Sequence, residues 1–317
     1  EIYGSFDWYN KKTKDILLLM DGIAAMGEGA VQWINAGEVK NNGWEFTVGY
    51  RHALPNGFSW DINGNISKYS NEITKLPETV AAKGTYGGNG VKSVVGHAMF
   101  SQVGYIYDGI FKSQDEIDNH AIQEGAGLGR IRYKDLNGDG RITEEDQDWI
   151  YDPTPAFTWG LNISLQYKNW DLTMFWQGVQ GVDVDCRGYK SQTDFWANSA
   201  INVPYLNKGV RVLDAWSPSN PDSNIPALTT SDTNNEGRVS SYYIENGSYA
   251  KLRTIQLGYN LPKQVVSKLY LDRIRLYASA QNLITIKSSK FTGVDPENPG
   301  FNYPIPLNLT FGVNVSF

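Results

Sequence analysis

Runs of strictly alternating polar and apolar residues recur along this chain and leave it few folds to choose from. Phe157, Trp159, Leu161, Ile163, Leu165 and Tyr167 interleave with Thr158, Gly160, Asn162, Ser164, Gln166 and Lys168. Leu307, Leu309, Phe311, Val313, Val315 and Phe317 do the same with Asn308, Thr310, Gly312, Asn314 and Ser316. Trp44, Phe46, Val48 and Tyr50 form a third run, and Phe58, Trp60, Ile62 and Ile66 a fourth. Period two marks a strand with one apolar face. These runs have roughly the 9–11 residues with which a tilted strand crosses a bilayer. Strands are expected near 2–10, 43–53, 57–68, 156–168, 169–180, 250–260, 272–284 and 307–317.

The connections add a second pattern. Leu54-Pro55-Asn56-Gly57 and Lys168-Asn169 are tight turns, and the link around Pro262 is short. The links near 11–42, 69–155, 181–249 and 285–306 are long. Short and long links alternate, as in an up-and-down outer-membrane barrel with periplasmic turns and outer loops. Alternation by itself also fits a soluble β-sandwich or a lectin-like barrel, and eight strands can close a small barrel. Loops this long fit a wide barrel better.

Composition sets limits on function. The longest apolar run, Ile16 to Met20, is far short of the roughly 20 residues of a membrane helix. A mean hydropathy of -0.41 is no obstacle to a barrel, whose strands are only half apolar. The net charge of -6 and the lack of a basic cluster disfavour a nucleic-acid partner. Cys186 is the single cysteine, so no internal disulfide forms. Aromatic residues make up 13%, which suits membrane girdles and carbohydrate-binding surfaces alike. No leader peptide precedes Glu1, and the chain is read as the remainder of a longer one. The histidines His52, His97 and His120 lie in unrelated contexts, and no catalytic motif stands out.

One stretch points to a metal. Asp135-Leu136-Asn137-Gly138-Asp139-Gly140-Arg141, ending at Asp146, follows the EF-hand spacing. Asp135, Asn137 and Asp139 supply oxygens at positions 1, 3 and 5, Arg141 its carbonyl at 7, and Asp146 a carboxylate at 12. A structural calcium ion is expected there. Asp146 is shorter than the usual Glu, which puts bidentate coordination in question. A solvated turn is the alternative, because Asn-Gly-Asp-Gly favours turns in any case.

Several segments resemble the SusC/RagA family of TonB-dependent outer-membrane transporters. They are Gly104-Tyr105-Ile106-Tyr107-Asp108-Gly109-Ile110-Phe111, then Ile131 to Ile142, then Pro155 to Asn162 and Tyr167 to Leu172. Asn35 to Glu45 and Ala278 to Leu283 fit the same family. The resemblance covers essentially all of 1–317 and implies the C-terminal part of a barrel of about 22 strands. It implies outer-membrane import of glycans, oligosaccharides or peptides, without catalysis. It also implies a SusD-like surface lipoprotein as lid and coupling to the TonB complex through a region this chain lacks. The segments 69–155 and 181–249 are then long extracellular loops. A secreted, calcium-stabilised β-sandwich that binds carbohydrate is the alternative.

Overall fold

The computed structural model describes residues 1–21, 31–77, 91–193, 209–229, 234–300 and 302–317. In chain order the strands are β1 (Ile2–Asp21), β2 (Val31–Ala53), β3 (Phe58–Lys75), β4 (Gln102–Tyr105), β5 (Tyr107–Ile110), β6 (Ile131–Tyr133) and β7 (Gln147–Tyr151). Then come β8 (Phe157–Tyr167), β9 (Trp170–Gln180), β10 (Asp183–Asp185), β11 (Ile244–Asn246), β12 (Tyr249–Asn260), β13 (Arg273–Lys287) and β14 (Asn308–Ser316). Short helices lie at Gln114–Asp118 (α1), Arg187–Thr193 (α2) and Lys263–Val266 (α3). No helix among the described residues is long and apolar enough to cross a membrane.

The alternating runs pair in the register their pattern demands. They form one antiparallel eight-stranded sheet in the order β1-β2-β3-β8-β9-β12-β13-β14. One row across it reads Ile2, Tyr50, Ile62, Ile163, Met174, Ile255, Ala280, Leu309. The adjacent row reads Tyr3, Gly49, Asn63, Asn162, Phe175, Thr254, Gln281, Asn308. Since neighbouring residues on a strand point to opposite faces, one face of the sheet is apolar and the other mostly polar. A slip of one residue in any pair would break both rows. On the polar face glycines leave room for aromatic rings: a Cβ at Gly49 would meet the ring of Tyr3 at 2.2 Å. Among the described residues β1 pairs only with β2 and β14 only with β13, so the sheet is open at both edges.

The apolar face ends in an aromatic band at the tight turns. Tyr50 stacks on His52, His52 contacts Trp60, and Phe58 contacts both Trp60 and Tyr167. One turn along, the Trp170 and Tyr259 rings lie 4.6 Å apart. Toward the other end Trp8 sits opposite Trp44. From His52 to Trp44 a strand rises about 26 Å at roughly 3.3 Å per residue, close to the apolar band of about 25 Å between barrel girdles.

Two expectations need correction. Residues 11–21 and 31–42, expected within a long link, are strand: β1 runs to Asp21 and β2 begins at Val31, and the two pair beyond the apolar band. The period-two signal fades there because Lys11, Lys12, Lys14 and Asp15 interrupt the alternation and the apolar residues Ile16 to Met20 follow one another without it. Asp15 also takes a positive φ of 56° where the register shifts. The third strand likewise continues to Lys75, past the expected end near 68.

Burial is inverted relative to a water-soluble sheet protein. Large apolar residues on the sheet stay exposed, among them Phe6, Trp8, Leu309 and Phe311. Ile110, Phe111, Ile131, Tyr133, Cys186, Tyr242, Tyr243 and Phe291, all in the links, are buried.

Candidate functional site

Two surfaces offer themselves: the polar face of the sheet, and the assembly that the long links build at one end of it. On the polar face the charges near the tight turns are paired across strands. Asp61 accepts the Tyr3 hydroxyl at 2.6 Å and faces Arg51 at 2.9 Å. Asp171 faces Arg275, whose Nε lies 3.1 Å from Oδ1. Arg51, Asp61, Ser164, Gln166, Asp171 and Thr173 help to line a hollow of about 610 Å³ on this side. A lining with its charges matched presents hydrogen-bonding groups without a strong field of one sign.

At the long-link end, strands of three to five residues pair within each link, and the isolated bridge Tyr105↔Ser240 joins the two links. β4 pairs with β7, β5 with β6, and β10 with β11. Ile131, Tyr133, Tyr242 and Tyr243 form their apolar centre, with Tyr105, Tyr107 and Ile142 packed around it. Such short strands cannot satisfy their own backbone, and buried side chains do it for them. Gln123 donates to the Ile131 carbonyl at 2.8 Å and accepts from the Tyr133 N–H at 2.9 Å. Glu236 accepts the Ile131 N–H at 3.0 Å and pairs with Arg130 at 2.8 Å. The Arg238 guanidinium lies over the rings of Tyr105 and Tyr133, 4.8 and 4.9 Å from their centroids.

The remaining long link, 288–307, is tied down by charge. Glu245 accepts from the Thr292 N–H at 2.7 Å and pairs with Lys190 at 2.8 Å. Lys251, almost fully buried at the top of β12, pairs with Asp295 at 2.6 Å and with Glu297. Arg253 and the Tyr249 hydroxyl also reach Glu297. Above these ties a hollow of about 440 Å³ is lined by Tyr189, Val294, Asn302, Tyr303 and Pro304. No sequence motif announces these residues, because their partners stand at no fixed spacing, from eight positions for Gln123 and Ile131 to 106 for Arg130 and Glu236.

The EF-hand-like stretch lies between β6 and β7. Gly138 and Gly140 take the positive φ of 75° and 80° that the turn requires. Asp135 accepts from the N–H groups of Gly138 at 2.7 Å and Gly140 at 2.9 Å. Asn137 accepts from the Asp139 N–H at 2.9 Å, and Asp139 from the Arg141 N–H at 2.8 Å. Asp146 is fully buried and accepts the Leu136 N–H at 2.9 Å and the Thr143 N–H at 2.7 Å, with the Asn137 N–H at 3.4 Å. Burial works to raise its pKa, but these N–H donors outweigh burial and hold the carboxyl below the ordinary aspartate value. Among the described residues no three Asp, Glu, His or Cys side chains gather as metal ligands. The donor set is still hard oxygen, and the carboxylates of half-buried Asp135 and exposed Asp139 keep acceptor capacity beyond their N–H partners. Asp146 joins such a set only by giving up backbone partners. The histidines lie apart: His52 in the aromatic band, His97 stacked on Trp149 at 3.7 Å, and His120 against Phe111 at 5.2 Å.

A comparison with protein-family profiles found no match. The chain is 31% identical over 336 residues to TonB-dependent receptor P3 of Formosa agariphila, covering 99% of this chain and 32% of that protein. It is 28% identical over 331 residues to TonB-dependent receptor SusC of Bacteroides thetaiotaomicron, covering 100% of this chain and 30% of that one. The structure of the RagAB peptide transporter shares the fold over 100% of this chain and 33% of its own, with a TM-score of 0.78 at 21% identity. The chain thus spans about a third of the length of the curated relatives it matches. Along nearly its whole length the chain is similar to TonB-dependent receptors, SusC among them, and it shares its fold with a third of the RagAB structure.

Proposed function

We propose that this chain is the C-terminal part of the wall of an outer-membrane nutrient importer. The observation that carries the reading is the pair of adjacent rows across eight strands, one apolar and the other mostly polar with Tyr3 and Phe175 as its aromatic members. Such a sheet is stable where lipid covers one face and water the other. In this reading the apolar face meets lipid and the polar face lines the lumen. The tight turns lie in the periplasm, and the segments 69–155 and 181–249 stand outside. The protein lowers no chemical barrier and gates a polar path, with energy supplied through TonB. The name of the RagAB structure speaks of peptides, and the family resemblance drawn from the sequence motifs implies glycans and oligosaccharides as well, so oligosaccharides and peptides are the cargo classes to test. A SusD-like surface lipoprotein seated on the outer assembly completes the importer.

A calcium ion held by Asp135, Asn137, Asp139 and the Arg141 carbonyl, with Asp146 turning in as the last ligand, is part of the proposal. It would stiffen the outer assembly and take no part in transport chemistry.

The test is uptake by a strain from which the intact gene has been deleted, supplied in turn with labelled oligosaccharides and peptides. Loss of uptake of one class, restored by the gene, supports the reading, and undiminished uptake of every class removes it. The intact protein, purified in mild detergent, is expected to retain a lipoprotein subunit.

A further inference from the structure

At the turn end of the sheet the three connections are unlike one another. Residues 54–57 and 168–169 turn tightly, whereas β12 and β13 are joined by 261–272, which carries α3 and a single 3-10 turn, Ser267–Leu269. Only Val266 of this link is deeply buried, which anchors it to the base of the sheet. Val265 in α3 and Leu269 in the 3-10 turn that follows are about half exposed. Tyr270 is 96% exposed. It also adopts the left-handed conformation, with φ of 58°, which a residue with a Cβ takes at a cost. In water a Gly or Asn would serve that position better, and the two apolar neighbours would gain nothing from exposure.

The surroundings say what covers this tip. The apolar stripe of β12 runs through Leu257 and Tyr259 and continues into Leu261, whose N–H bonds to the carbonyl of Ile274 on β13. Tyr259 touches Trp170 in the aromatic band. The tip therefore leaves the sheet at the level where the apolar face ends. Lys263 and Lys268 are exposed on it, and Lys168 at the neighbouring turn lies over the Tyr167 ring. Apolar and tyrosyl side chains flanked by lysines, continuous with a girdle, match the boundary between acyl chains and phosphate headgroups.

We propose that the link 261–272 is a membrane-interface anchor, with Val265, Leu269 and Tyr270 seated among phospholipid headgroups of the periplasmic leaflet and Lys263 and Lys268 facing their phosphates. This rests on the apolar face meeting lipid, as proposed above, and the experiment separates the two. The intact protein carrying a single added cysteine, Leu269→Cys, is labelled with bimane and reconstituted into vesicles of phosphatidylethanolamine and phosphatidylglycerol brominated near the acyl carbonyls. The native Cys186 is buried and does not compete for label. Leu257→Cys on the apolar face and Asn56→Cys in the tight turn are the references. Emission at position 269 is expected to fall by about twofold or more on brominated lipid, as at 257, while that at 56 stays. A label at 269 that is quenched by aqueous iodide and untouched by brominated lipid, with 257 still quenched, overturns the anchor and leaves the wall intact. It would mean that the tip faces water and is free for a soluble protein partner. Failure to quench at 257 overturns both.

Discussion

Asp146 is buried among backbone donors rather than aimed at an open position, so its first role is to close the segment between β6 and β7. Removing it in Asp146→Ala leaves the N–H groups of Leu136 and Thr143 unpartnered, at about 1 kcal/mol or more for each lost bond. Hydrogen exchange at these two amides is expected to speed up markedly, with exchange in β8 and β9 unchanged. The pH dependence follows from the sign of the shift. A carboxyl held below its ordinary value in the folded state contributes stability that is complete above the unfolded value of about 3.9. That contribution is lost as pH falls through the lowered value, so the protection of amides in residues 135–146, measured against the intrinsic exchange rate at each pH, should hold at neutral pH and be lost only below about pH 4. Calcium has its own test on the same segment. Millimolar calcium is expected to slow exchange in 135–146, and Asp135→Asn with Asp139→Asn to abolish the effect; no slowing in the unaltered protein removes the ion from the reading. The spacing made Asp135, Asn137 and Asp139 legible in the sequence. Nothing in it marked Gln123 or Glu236, which act on a strand that comes to them only in the folded state.

Strands expose a different balance between what sequence shows and what structure adds. Where lipid lies on one side, the chain must alternate, and the eight sheet strands fall where the alternation puts them, from β8 at Phe157–Tyr167 to β14 at Asn308–Ser316. Where strands stand clear of the bilayer the demand vanishes. The upper halves of β1 and β2 read as a link although they pair from Lys11↔Asn41 onward. The three-residue strands β6, β10 and β11 are too short to show any period. The same asymmetry predicts how the wall responds to charge. Leu161 lies on the apolar face and Asn162 on the polar one, where its amide reaches Asn63 at 3.0 Å. Leu161→Arg in the intact protein should destabilise the barrel by about 2–4 kcal/mol if it sits near mid-bilayer, and Val313→Arg likewise. Asn162→Arg and Asn314→Arg should be much milder. Folding equilibria in lipid vesicles measure the difference, and equal tolerance on the two faces would count against a membrane wall.

As a whole the molecule joins two bodies that depend on different solvents. Its sheet has open edges at β1 and β14, and unpaired edges are not tolerated in lipid, so both need strands from outside this segment. The outer assembly instead carries its own buried centre at Ile131, Tyr133, Tyr242 and Tyr243, with hydrogen bonds closed by its own side chains. That inversion of burial has a thermodynamic consequence. Urea weakens apolar burial from water, so it acts on the outer assembly directly, while the wall is held by micelle or bilayer that urea does not strip away. Unfolding of the intact receptor in detergent should then proceed in two separated transitions. The emission of Trp149 and Trp216, both in the links, should report the earlier one at low urea. The strand signal of far-ultraviolet dichroism should persist until the detergent itself is changed. On this expectation the links melt while the eight-stranded sheet stands.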